Sequence, residues 1–245
     1  MPSNPHRVVL LAGGLGTRLQ PFTMMLPKAL VPVGDLPILE ILVRQLRLDG
    51  FDDLVLSIGH LGELIEAYFH GGRAEELGVR LSFVRERVPL GTAGCLALVP
   101  DLDETFVVVN ADVLTTLSFR RLVDHHRASG AVMTIAATER RQRLEWGALE
   151  TTPAGRLTAY VEKPERSVWI SMGVYVCEPE VLRFIDADQP LDIPGLATRL
   201  LTAGLDVEVC RSTDYWLDLG NPHDYGKAIE DFAANRGRIL RTDDA

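Results

Sequence analysis

The sequence predicts an α/β fold: a layered α/β/α domain around a mixed, mostly parallel central sheet, with a small β insert in its second half. Three observations predict it. Short apolar runs at residues 8–11, 53–58, 79–84 and 105–109 alternate with stretches of helical period, the pattern of successive βαβ units. A glycine-rich loop follows the first run and an Asn-Ala-Asp triplet the fourth, at carboxyl ends of strands, where open α/β sheets bind ligands. The composition, 47% apolar and 24% charged over 245 residues, allows one good-sized core.

Residues 8–11 form the first strand, and Ala12-Gly13-Gly14-Leu15-Gly16-Thr17 follows as a loop. Gly13, Gly14 and Gly16 carry no side chain and accept positive φ, so backbone N–H groups can approach an anion closely. Two familiar glycine patterns are excluded. The dinucleotide fingerprint needs glycine where Leu19 stands and a helix where Pro21 interrupts, and the P-loop needs Lys-Ser/Thr directly after its last glycine. The stretch offers Arg18 and Lys28 instead, a bidentate guanidinium and a point-charge ammonium, with Pro21, Pro27 and Pro32 stiffening the path. Those residue types suit several phosphates at once.

Further along, Ile38, Ile41, Leu42, Gln45 and Leu46 recur at helical spacing over residues 37–49, and Gly50 closes the helix. After a strand at 53–58, a helix at 61–69 and a strand at 79–84 comes a second glycine loop, Pro89-Leu90-Gly91-Thr92-Ala93-Gly94, ahead of the helical stretch 95–99. Small residues there let a flat base slide against backbone. Taken alone, the loop reads more simply as a helix N-terminus with Thr92 as its cap. The strand at 105–109 ends in Asn110-Ala111-Asp112, and an aspartate in that position is well placed to hold Mg²⁺ beside phosphates.

A helix at 122–129 and a strand at 131–138 precede the charge run 139–143, which reads as a solvated loop. Two short strands at 148–150 and 157–161, turning at Pro153-Ala154-Gly155, make a hairpin-like insert that Glu162-Lys163-Pro164 ends. A carboxylate suits a hydroxyl and an ammonium suits a phosphate. Residues 169–176 read as a strand whose internal Gly173 suggests close backbone approach. A short helix at 181–185, a helix from Asp192 and Pro194 to Gly204, and a late strand at 207–210 follow. Asp218 then precedes Asn221-Pro222, the cap and first residue of a last helix, and 236–245 reads as a frayed polar tail.

A formal charge of −9 argues against nucleic acid as a partner, since binders show a basic field. No run reaches transmembrane length, and residues 1–6 lack the apolar centre of a signal peptide, so no membrane partner is expected. Cys95, Cys177 and Cys210 are widely spaced and without CxxC, which argues against a disulfide framework or zinc site and suits a cytoplasmic location.

The stretch Gly-Gly-x-Gly-Thr-Arg-Leu at 13–19, then Pro21, Thr23, Pro27-Lys28 and Pro32-Val33, resembles the signature of the sugar-1-phosphate nucleotidyltransferases, which make nucleoside-diphosphate sugars. The resemblance covers nearly the whole chain. It implies a Rossmann-like fold and a single domain over 1–235, with a nucleotide-binding half at about 1–115 and a sugar-binding half at about 116–235. It also implies that Leu11, Ala12, Gly13, Gly14, Gly16, Thr17, Arg18, Lys28, Asn110 and Asp112 contact the nucleotide, with Leu90, Gly91, Thr92, Ala93 and Gly94 as the base loop. The wording of that loop is closest to guanylyl-transferring members.

Asp112 and Asp218 are the implied Mg²⁺ ligands, and with Arg18, Lys28 and Lys163 they make the implied catalytic set. Trp146-Gly147 and Glu162-Lys163 resemble the sugar pocket, in which Gly147 gives room, Glu162 takes hydroxyls, Lys163 holds the sugar phosphate, and Ser171 and Gly173 lie alongside. Two departures stand out. Ala111 replaces a frequent glycine, and Ser171-Met172 replaces a frequent Asn-Ala, which leaves the sugar's identity open. The implied reaction is NTP plus sugar 1-phosphate to NDP-sugar plus pyrophosphate, with GTP and a manno-configured hexose or heptose 1-phosphate favoured. Thymidylyl, uridylyl or adenylyl transfer to a glucose-type phosphate, and a sensor that binds without turnover, stay open. So does the oligomeric state, a homodimer included. No hexapeptide repeat follows, so the β-helix domain of some members is not expected.

Overall fold

The computed structural model describes residues 7–220 and 222–242. Seven strands form its main sheet: β1 (Arg7–Ala12), β2 (Asp53–Ile58), β3 (Arg80–Arg85), β4 (Phe106–Asn110), β5 (Met133–Arg143), β6 (Glu165–Cys177) and β7 (Val207–Ser212). Their spatial order is β3-β2-β1-β4-β6-β5-β7. β6 runs antiparallel to both neighbours and the other pairings are parallel. The sheet is mixed and mostly parallel, as the alternating pattern predicts.

Strands buried on both faces must be apolar on both. β1 shows this: Val8 and Leu10 enter one core and Val9 the other, all fully buried. Each such side chain contributes about 1.5–3 kcal/mol. The first core holds α1 (Ile38–Leu48), α2 (Gly62–Phe69) and α3 (Phe119–Ser129) against the sheet, and the second holds α4 (Ile193–Thr202) with Ala93 and Leu96. A last helix, α5 (Pro222–Leu240), packs Ala228 and Phe232 with Ile38 and Ile41 of α1 in a third cluster and bends at Asn235.

Because α1 is buried along most of its length, its buried polar residues need internal partners. Glu40 is fully buried and accepts from Arg44, Arg73 and the Tyr68 hydroxyl. Gln45, read from the sequence as part of the apolar face, donates to the carbonyls of Thr115 at 2.6 Å and Ile239 at 2.7 Å. The amide thereby ties α1 to the end of α5.

Two sequence expectations are corrected. The charge run 139–143 is not a loop: it is the outer half of β5, paired with residues 165–169 of β6. The two form an arm that leaves the sheet, and the hairpin of Ala148–Thr151 with Leu157–Val161 lies between its strands in the chain. Backbone pairing satisfies this arm while its charges stay in water. The supposed polar tail continues α5 to Leu240, with Ile239 and Leu240 buried. Arg241 then reaches Asp49 Oδ1 at 2.5 Å and the Leu117 carbonyl at 2.7 Å, fastening the end of α5 between α1 and α3. Asn221, expected as the helix cap, and the last three residues of the expected tail lie outside the described residues.

Candidate active site

The register of the parallel strands brings their carboxyl ends to one edge, with Leu11 of β1 opposite Ser57 of β2 and Asn110 of β4. A cleft of about 540 Å³ opens there. On one side the loop 13–16 leaves β1 and turns at Gly16, whose φ of +61° and contact with Thr23 leave no room for a side chain. The buried Thr23 hydroxyl donates to the Gly16 carbonyl at 2.8 Å and fixes the turn. Arg18 follows in the 3-10 turn Thr17–Leu19, and Lys28 opens another, Lys28–Leu30, whose Ala29 and Leu30 are buried.

Asp112 lies just beyond β4. Asp218 ends the strand Trp216–Asp218, which pairs antiparallel with Val113–Thr115 so that Asp218 stands opposite Val113. The Leu219 amide donates to the Asp112 carbonyl at 3.1 Å, locking the two aspartates side by side. The Lys28 ammonium bonds to Asp112 and stands 3.7 Å from Asp218 Oδ1, too far for a hydrogen bond. Asp218 Oδ1 is buried without a hydrogen-bond partner. Burial raises the Asp218 pKa, and the neighbouring Asp112 charge raises it further, against the pull of Lys28 and Arg18. Hard carboxylate oxygens with an unsatisfied lone pair fit Mg²⁺. Among the described residues no three His, Cys, Asp or Glu side chains converge, so phosphate oxygens and water would supply the remaining ligands.

Of the residues expected at the nucleotide, Leu11, Gly13, Gly14, Gly16, Thr17, Arg18, Lys28, Gly91, Thr92, Asn110 and Asp112 line the cleft together with Asp218. Ala12, Leu90, Ala93 and Gly94 are buried behind it. Thr92 lines the cleft, and its cap reading is corrected: its hydroxyl accepts the Ile193 N–H at 2.9 Å, so it serves the first turn of α4 rather than its own. The whole loop rests on the chain before α4. The Ala93 and Gly94 amides donate to the Leu191 carbonyl at 2.9 Å, Leu191 N–H donates to Leu90, and Gly91 at φ +76° has that same carbonyl where a Cβ would lie.

The residues expected at the sugar are not gathered in the cleft. Gly147, Glu162 and Lys163 sit on the arm and hairpin, with Glu162 and Lys163 exposed and Lys163 in the left-handed region at φ +46°. Gly147 gives room to the Tyr160 ring, which a Cβ would strike. Gly173, at φ +71° where the β5–β6 register shifts, lets the Asn110 amide lie against β6, and Asn110 Oδ1 is left buried and unpartnered. Ser171 donates to the Tyr175 hydroxyl at 3.1 Å and accepts the Gly173 N–H at 3.2 Å.

The sequence reading missed Glu86. It follows β3 directly, lines the cleft, and is held by Ser57 Oγ at 3.1 Å and Leu90 N–H at 2.9 Å, with Gly13 against its carboxylate. A carboxylate just past a strand end and four residues before a glycine loop is the signal that pointed to it.

The Nucleotidyl transferase family matches residues 7–235. The chain belongs to that family. A UTP–glucose-1-phosphate uridylyltransferase of Synechocystis sp. is 34% identical over 241 residues, covering 91% of this chain and 62% of its own length. A mannose-1-phosphate guanylyltransferase catalytic subunit beta of Drosophila pseudoobscura pseudoobscura is 34% identical over 233 residues, covering 91% of this chain and 61% of its own. This member of the nucleotidyl transferase family thus spans less than two thirds of those relatives. Among solved structures, HddC from Yersinia pseudotuberculosis superposes with a TM-score of 0.70 at 24% identity, covering 93% of this chain and 99% of its own. UDP-glucose pyrophosphorylase from Acinetobacter baumanii gives 0.69 at 20% identity, covering 98% and 97%. Both share the Rossmann-like fold.

Proposed function

We propose that this chain transfers a nucleotidyl group from an NTP to a sugar 1-phosphate, releasing pyrophosphate, and that it prefers GTP with a manno-configured hexose or heptose 1-phosphate. The observation that carries the reaction is the convergence of Asp112, Asp218, Lys28 and Arg18 at the mouth of a glycine loop. It is supported by the uridylyl- and guanylyltransferases among the relatives. The proposal includes the halves at about 1–115 and 116–235, the sugar roles of Gly147, Glu162, Lys163, Ser171 and Gly173, and a cytoplasmic location. Among the described residues no helix is long and apolar enough to cross a membrane.

A sugar phosphate is already an anion at neutral pH, so no general base is needed to create the nucleophile. The obstacle is repulsion between anions. Backbone N–H groups of the loop 13–16, the Arg18 guanidinium and the Lys28 ammonium hold the triphosphate for attack on the α-phosphorus and offset its charge, and the incoming phosphate is assigned to Lys163, exposed outside the cleft. Bound by Asp112 and Asp218, Mg²⁺ supplies further charge neutralisation to the phosphate oxygens.

Glu86 favours guanine. Guanine presents two adjacent donors, its ring N–H and amino group, which one carboxylate accepts together; uracil presents a single N–H between two carbonyl oxygens that repel a carboxylate. Each Glu86 oxygen already carries one protein donor and keeps a lone pair free. Glu86→Gln is therefore expected to narrow the GTP-to-UTP ratio of kcat/KM by about tenfold or more. An unchanged ratio in competition assays would remove Glu86 as the reader of the base.

A further inference from the structure

The Lys28 ammonium occupies the position between the two aspartates, bonded to Asp112 and 3.7 Å from Asp218. Its side chain is only 14% exposed, and its 3-10 turn is anchored by the buried Ala29 and Leu30. This is a built-in counter-ion rather than a roaming surface lysine. Among the described residues no third His, Cys, Asp or Glu joins this carboxylate pair to hold a divalent cation. A small hard cation dehydrates reluctantly and binds such a pair firmly only when phosphate oxygens complete its shell. With an ammonium between the carboxylates, a second cation also meets a like charge at close range.

We propose that Lys28 excludes divalent metal from the nucleotide-free protein and is drawn off Asp112 by the arriving triphosphate, so that the metal enters only with the nucleotide. The proposal rests on the reading of Asp112 and Asp218 as the metal pair. Phosphate oxygens compete for the ammonium as Arg18 and the loop amides gather them, and the freed carboxylates then face a cation that the phosphates already ligate. Lys28 would thus act twice, first as guard of the site and then as phosphate ligand.

The test is Mn²⁺ binding to the full chain without nucleotide, followed by the electron paramagnetic resonance signal of free Mn²⁺. Wild type is expected to take up none at submillimolar concentration. Lys28→Met and the polar variant Lys28→Gln are each expected to bind at least tenfold more tightly than wild type, Lys28→Arg to keep the exclusion, and Lys28→Met with Asp112→Asn to lose the gain. Submillimolar Mn²⁺ binding by nucleotide-free wild type overturns the proposal whatever the variants do. So does uptake by folded Lys28→Met and Lys28→Gln that matches wild type. No turnover is read, so an enzyme silent toward every substrate would leave this result standing.

Discussion

Asp112→Asn is expected to lower kcat by about a thousandfold while the protein stays folded, the scale seen when one preorganised charge-stabilising group is removed from an active site. Asp112 lies past the end of β4, outside the three apolar clusters, and its structural bond is through its backbone carbonyl to Leu219 N–H, which asparagine keeps. What the substitution removes is a charge. Lys28 loses its closest anion and the proposed metal pair is halved. Steady-state kinetics beside a thermal melt separate the two effects: lost turnover with a Tm within a few degrees of wild type is the expected pattern. Normal Mg²⁺-dependent turnover would show that Asp112 has no part in the chemistry.

Asp218→Asn is expected to abolish most activity and yet to stabilise the ligand-free protein. Burial and the Asp112 charge raise the folded-state pKa of Asp218 above its ordinary 3.8. The native state therefore binds the proton more tightly than the unfolded chain does. Stability falls as pH rises through the window between the two pKa values, and above it the ionised carboxylate is a standing burden. Asparagine carries no such charge, and Lys28 retains Asp112 as its partner. At neutral pH the variant should melt a few degrees above wild type, and the gap should close as pH falls toward 3.8. A lower Tm at neutral pH would mean that the ion pair with Lys28 outweighs the burial penalty.

Much of the scaffold was legible because its signals are local. The run ending β1 and the glycines behind it announce a buried strand and a turn, and Asp192 with Pro194 announces the start of α4, where the Asp192 carboxylate accepts Gly195 N–H at 2.7 Å. Elements stabilised by partners far along the chain were not legible. Residues 139–143 carry too many charges to read as a strand, and they become one because residues 165–169 satisfy their backbone. Residues 236–240 look polar, and the buried pair Ile239 and Leu240 and the Arg241 contact to Asp49 hold them as helix.

The candidate site divides the same way. Lys28 stands out as a cation in the glycine stretch, Asp112 by the strand end it follows and Asp218 by the family resemblance, and strand pairing brings the two aspartates together. Glu86 is a single carboxylate whose signal, a place just past a strand end and ahead of a glycine loop, is weak until the fold shows β3 delivering it to the cleft. Thr92 lines the cleft, but as a cap it serves Ile193, about a hundred residues later, rather than its own turn.

The most direct test of the central claim is pyrophosphate release, coupled to a pyrophosphatase, over a grid of NTPs against mannose, heptose, glucose and amino-sugar 1-phosphates with Mg²⁺. Release that requires both substrates, strongest in the GTP column with a manno-configured phosphate, is the predicted result. Silence across the whole grid from folded protein would contradict the transferase reading and return the chain to a role in binding nucleotide sugars without turnover.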